Sequence, residues 1–74
     1  MGEDGQATIR LDQFMKYVGM VETGGHAKYV IQAGDVMVNG EVETRRSRKL
    51  RAGDRVTFAG RTQTVALEGD EQQQ

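Results

Sequence analysis

Seventy-four residues suffice for one small domain, which buries only roughly 60% of the surface its unfolded chain exposes and has no room for an enclosed catalytic cavity. The lack of cysteine excludes a disulfide scaffold and thiolate metal sites, and no run approaches the roughly 18 apolar residues of a membrane span. The formal charge is −1, but all ten Lys and Arg lie between Arg10 and Arg61, and Ile9 to Val65 holds only six acids, so that stretch carries +4 and the acidic ends mask it.

Met1 to Ala7 is polar, Gly-rich and without periodicity, and is expected to be a disordered tail. Its acidic start does not resemble a basic leader, which points to a cytosolic, cytoplasmic protein. Leu11, Phe14, Met15 and Val18 then recur at i, i+3, i+4 and i+7, the spacing of one apolar stripe on a helix. Gly19 limits that helix, Asp12 suits its positive amino end, and Thr8 is positioned to cap it.

A second helix is expected after Thr23, a good N-cap, with Ala27, Val30 and Ile31 facing inward, Lys28 and Gln32 outward, and Gly34 as the stop. Gly24 and Gly25 do least harm in its first turn. The short connection implies an antiparallel or steeply crossed helix pair around Val18, Met20 and Val21.

Val36-Met37-Val38-Asn39-Gly40-Glu41-Val42 reads as a tight hairpin, because Asn-Gly accepts the two positive φ angles of a two-residue turn. Five bases follow within seven residues: Arg45, Arg46, Arg48, Lys49 and Arg51, with Ser47 and Leu50 between them. A basic run is by itself a solvated face or a flexible tail. This one lies between strand-like segments, with Leu50 as a core anchor, so its charges are held on a frame.

Gly53-Asp54 marks a turn before a strand over Arg55 to Ala59. Gly60-Arg61 turns again into a last strand over Thr62 to Leu67, with Val65 and Leu67 on one face. Residues 68–74 end in three glutamines and are expected to be a second disordered tail. The expected fold is α+β: two N-terminal helices packed on a small, mostly antiparallel sheet within residues 8–67.

The ordered set Arg10-Leu11-Asp12, Phe14-Met15-Lys16, Gly19, Thr23, Ala27, Ile31, Gly34-Asp35-Val36, Val38-Asn39-Gly40, Leu50 and Gly53-Asp54 resembles the RNA-binding module named after small-subunit ribosomal protein four, whose core is the alpha-L motif. The resemblance runs from Ile9 to about Val65. It is strongest to short bacterial members that consist of the module alone. It implies non-catalytic binding of folded RNA, ribosomal RNA or a ribosome-assembly intermediate above all, with tRNA or a stalled ribosomal subunit as related targets. The implied face is made by the two helix starts and the hairpin. On it lie Arg10, Lys16, Lys28, Arg45, Arg46, Arg48 and Lys49, whose charge and donor geometry suit phosphate and the shape of an A-form backbone. Many relatives carry Arg directly after the Ser or Thr at position 23. Here Gly24 and Gly25 stand instead, which removes one expected phosphate contact.

At that helix start, the free amides after Thr23, open to close approach at Gly24 and Gly25 and near Lys28, offer an anion site beside the plain N-cap reading. Asn39 is assigned first to turn geometry and second to RNA contact, and Asp12 to helix structure or to orienting Arg10. His26 has no partner for a metal and is a surface residue, so neither metal nor cofactor is expected. Tyr17 and Tyr29 are assigned to packing at the helix edges. The composition offers no reason for a dimer, so a monomer is expected.

Two other classes of function share some of these features. A sulfur-carrier type of beta-grasp protein shares the short strands and turns but needs a terminal Gly-Gly where this chain has Gln72-Gln73-Gln74. A protein-interaction module would use the basic loop to meet an acidic partner, and only a binding test separates it from an RNA binder. No Ser/His/Asp, Cys/His or paired-carboxylate constellation supports an enzyme.

Overall fold

The computed structural model describes residues 7–67. The expected tails therefore lie outside the described residues, apart from Ala7. The elements in chain order are β1 (Ile9–Arg10), α1 (Leu11–Tyr17), α2 (Gly24–Gln32), β2 (Val36–Val38), β3 (Glu41–Val42), β4 (Lys49–Leu50), β5 (Arg55–Phe58) and β6 (Arg61–Thr64).

Both helices end in the same way. At α1, Gly19 takes φ +82, its N–H donates to the Lys16 carbonyl at 3.2 Å, and the Met20 N–H donates to that of Met15 at 2.9 Å. At α2, Gly34 takes φ +85, with bonds from Gly34 to Ile31 and from Asp35 to Val30, both at 3.1 Å. These are Schellman closures, in which a left-handed residue turns the chain back while satisfying the last carbonyls. The turns deliver Met20 and Val21, and then Val36, into one core with Leu11, Phe14, Met15, Ala27, Val30 and Ile31.

Four strands form an antiparallel sheet in the order β3-β2-β5-β6. The hairpin register Val38↔Glu41 closes over Asn39 and Gly40, at φ 54 and 86, the geometry Asn-Gly was expected to supply. Val36 and Val38 pair with Phe58 and Val56, so one sheet face carries the apolar side chains onto the helices.

Several expectations are corrected. Thr8 does not cap α1: Arg10 occupies the N-cap position and makes no side-chain cap. Ile9 and Arg10 instead form a strand that pairs antiparallel with β4, Ile9 opposite Leu50 and Arg10 opposite Lys49. Two-residue strands lack the length to show an alternating pattern, so sequence reading passed over both. The β5–β6 turn is Ala59-Gly60, not Gly60-Arg61, with Ala59 itself at φ 54. β5 therefore ends at Phe58 and β6 at Thr64. Val65 is still buried; it exchanges backbone bonds with the 53–54 turn at 2.9 and 2.8 Å. Tyr17 and Tyr29, expected to pack at the helix edges, are left 80% and 72% exposed, so little of either ring is covered.

Candidate nucleic-acid interface

The basic loop is built onto the start of α1. The Leu11 N–H donates to the Arg48 carbonyl at 2.8 Å and the Asp12 N–H to the Arg46 carbonyl at 3.1 Å. Loop carbonyls thus satisfy amides that a helix start leaves free and that Thr8 was expected to cap. The same bonds fix Arg46 and Arg48 beside Arg10. Leu50, fully buried, anchors the far end of the loop in the core.

Within this cluster, Arg10 and Lys49 are cross-strand partners, and like charges directly opposite each other in an antiparallel pair are destabilising. Asp12 relieves the pair. Its carboxylate accepts from Arg10 Nε and Nη2, each at 3.2 Å, and from the Gln13 N–H at 2.8 Å. The hydrogen bond to Asp12, and then its charge, raise the Arg10 pKa. Asp12 is buried, so it holds Arg10 in place and offers little surface of its own.

A second acid organises the loop from below. Glu43, buried among the bases, accepts from the Arg45 N–H at 3.0 Å, from Arg45 Nε at 3.4 Å and from Arg48 Nη1 at 3.1 Å. The backbone bond from Arg45 is the largest influence holding its pKa down at about 2; the hydrogen bonds of Arg48 and Arg45 and the charge of Arg45 add to it, while burial opposes. Sequence reading missed Glu43, since an acid beside a basic run carries no mark of burial. Arg48, one of the expected contact residues, has a side chain that is only 34% exposed and paired with Glu43.

Arg46 and Lys49 stand exposed, and neither has a carboxylate partner among the described residues. Arg45 keeps 74% of its side chain exposed despite its contact with Glu43. Lys16, in the last turn of α1, and Lys28, on α2, are likewise exposed and have no ion-pair partner among the described residues.

The start of α2 is ordered as expected but lies outside the hydrogen-bonded cluster. Thr23 Oγ1 accepts from the His26 N–H at 3.0 Å, and Gly24 and Gly25 are exposed in the first turn, with no neighbour nearer than 4.0 Å to a β-carbon built on either. Asn39 is also apart: its Oδ1 accepts from the Arg55 N–H at 2.9 Å and its Nδ2 donates to Asp54 Oδ1 at 3.3 Å. The side chain ties the hairpin tip to the next turn. An open apolar hollow of about 200 Å³, lined by Ile9, Phe14, Tyr17, Ala66 and Leu67, contains no acid–base pair. Among the described residues no group of His, Cys, Asp or Glu is arranged for a metal ion, and no helix is long and apolar enough to cross a membrane.

The sequence profile of the S4 domain matches residues 4–66. The chain belongs to the S4 domain family. Among relatives of this S4 domain, the protein named "Probable ribosome maturation protein RlbA" of Bacillus subtilis is 42% identical over 52 residues, covering 70% of this chain and 73% of the relative. "Putative RNA-binding protein YbcJ" of Escherichia coli is 42% identical over 57 residues, covering 77% and 81%. The solution structure of the Escherichia coli YbcJ protein, described as revealing an alpha-L motif involved in RNA binding, superimposes with a TM-score of 0.63 at 37% identity, over 90% of this S4 domain and 82% of that chain. The α+β architecture of two helices and small antiparallel sheets is that of the alpha-L motif.

Proposed function

We propose that this S4 domain binds structured RNA without catalysing a reaction, and that its target is ribosomal RNA or a ribosome-assembly intermediate, in a cytoplasmic setting. The observation that carries the reading is the fixed cluster of Arg10, Arg45, Arg46, Arg48 and Lys49. Backbone bonds from the loop to the start of α1 hold these cations on one frame, and opposed like charges are retained at Arg10 and Lys49. A rigid array of guanidinium forks registers the phosphates of an A-form helix by shape, with little need to read bases. Lys16, and the α2 start with Thr23, Gly24, Gly25 and Lys28, extend the contact, while Asp12 and Asn39 hold the frame. The names of the relatives from Bacillus subtilis and Escherichia coli support both RNA and the ribosomal context.

Sedimentation of tagged protein with ribosomal particles across a salt series, with sequencing of RNA crosslinked to the 45–51 loop, tests this. Salt-sensitive co-migration with one subunit and crosslinks to its RNA are the expected result. Protein left at the top of the gradient at low salt, with no crosslinked RNA, would overturn the reading in favour of an acidic protein partner.

A further inference from the structure

We infer that Glu43 is a positioning residue for RNA: its carboxylate raises affinity for a polyanion although its own charge opposes binding. The inference rests on the RNA-binding reading above. By Coulomb's law alone, an acid among Arg45, Arg46, Arg48 and Lys49 repels phosphate and cancels part of the charge that draws RNA in. The geometry argues for the opposite net effect. The Glu43 N–H donates to the Val36 carbonyl at 3.0 Å, which pins the residue to the sheet. From there the carboxylate spans the loop, Oε2 on the Arg45 N–H and Nε, Oε1 on Arg48 Nη1. Between these two arginines the turn closes through the Arg48 N–H on the Arg45 carbonyl at 3.3 Å.

Without the carboxylate, the two guanidinium groups lose their shared anchor in a segment where five of seven residues are basic, and repulsion spreads them. Loop order would then have to be gained during binding, at a cost in affinity. The contact also orients Arg45 without hiding it, since that side chain stays largely exposed while the carboxylate beneath it is buried. One Nη1 contact engages a single donor of the five that Arg48 carries.

The test compares three variants, Glu43→Gln, Glu43→Asp and Glu41→Gln, binding a labelled RNA hairpin of about 20 base pairs across a salt series. Glu41 is an exposed acid two residues away, so Glu41→Gln makes the same charge change without touching the anchor. It is expected to bind as well as the wild type or more tightly. Glu43→Gln is expected to bind about tenfold more weakly, the equivalent of one charge-assisted hydrogen bond, with a shallower salt slope. Glu43→Asp keeps the charge but falls one methylene short, and is also expected to bind more weakly. Because it preserves charge, it separates positioning from electrostatics even if Glu43→Gln fails to fold. Wild-type or tighter binding by a folded Glu43→Gln, or wild-type binding by Glu43→Asp, overturns the inference. If the wild type itself does not bind the hairpin at low salt, the RNA-binding reading falls and takes this inference with it.

Discussion

Ala59 sits at φ 54 in the β5–β6 turn, a conformation costing an L-residue with a β-carbon roughly 1–2 kcal/mol. Asn tolerates that region through its local hydrogen bonding, as Asn39 does at the same φ in the other hairpin. Ala59→Asn is therefore expected to stabilise the domain by about 0.5–1 kcal/mol, read as a rise in the urea midpoint at unchanged m-value. Glu43 gives a second prediction at this scale. Its folded-state pKa lies at about 2, below the 4.5 of an unperturbed carboxyl, so the unfolded state binds the proton first as pH falls. The stability it contributes is present above the unfolded value and is lost as pH drops through that window. Urea midpoints measured from pH 5 downward should fall, and Glu43→Gln should flatten the fall between about pH 4.5 and about 2; an unchanged profile would contradict the assigned environment.

The two helices share a C-terminal closure but differ at the start, and the difference is mechanical. α2 is capped from within its own sequence by Thr23, so Thr23→Ala should cost about 1 kcal/mol. α1 is capped by carbonyls of the basic loop, more than thirty residues later in the chain. Thr8→Ala should accordingly change stability by less than about 0.5 kcal/mol. A loss at Thr8 equal to that at Thr23, in the same thermal or urea series, would place a cap where none is formed. Because α1 and the loop supply each other's hydrogen-bond partners, the loop is ordered only as far as the first helix is docked. The pairing of β1 with β4 serves the same end, and it brings Arg10 to Lys49 as a direct consequence of keeping Ile9 opposite Leu50.

At the scale of the molecule, the separation of charge along the chain governs the expected salt response. If about five phosphates are engaged, the slope of log affinity against log salt should be roughly −3.5 to −4.5, at about 0.7 to 0.9 for each contact. Replacing Arg45, Arg46 and Lys49 together by Ala should weaken binding and reduce the slope by about 2 to 3. The domain should stay folded, since all three residues are exposed and none belongs to the core. Wild-type affinity in the folded triple variant would move the interface elsewhere. A flat salt profile for the wild type would argue against phosphate docking altogether.

Element order and core were legible in the sequence because they rest on short-range rules. The stripe Leu11, Phe14, Met15, the cap at Thr23, the left-handed glycines at 19 and 34 and the Asn-Gly turn each act within one or two turns of chain, and each is found where those rules put it. The cations of the candidate site were legible as well, as residue types in a dense run. What they are attached to was not. The Glu43 anchor, the Asp12 clasp on Arg10, the carbonyl cap on α1 and the β1–β4 pair depend on which distant segments meet. The exposure of Tyr17 and Tyr29 depends on which surfaces remain uncovered after that meeting. The amino-acid sequence by itself determined the periodicities, the stops and the sign of the surface; only the tertiary structure decided which bases are clamped and which are free, because hydrogen bonds between segments thirty residues apart leave no period in the chain.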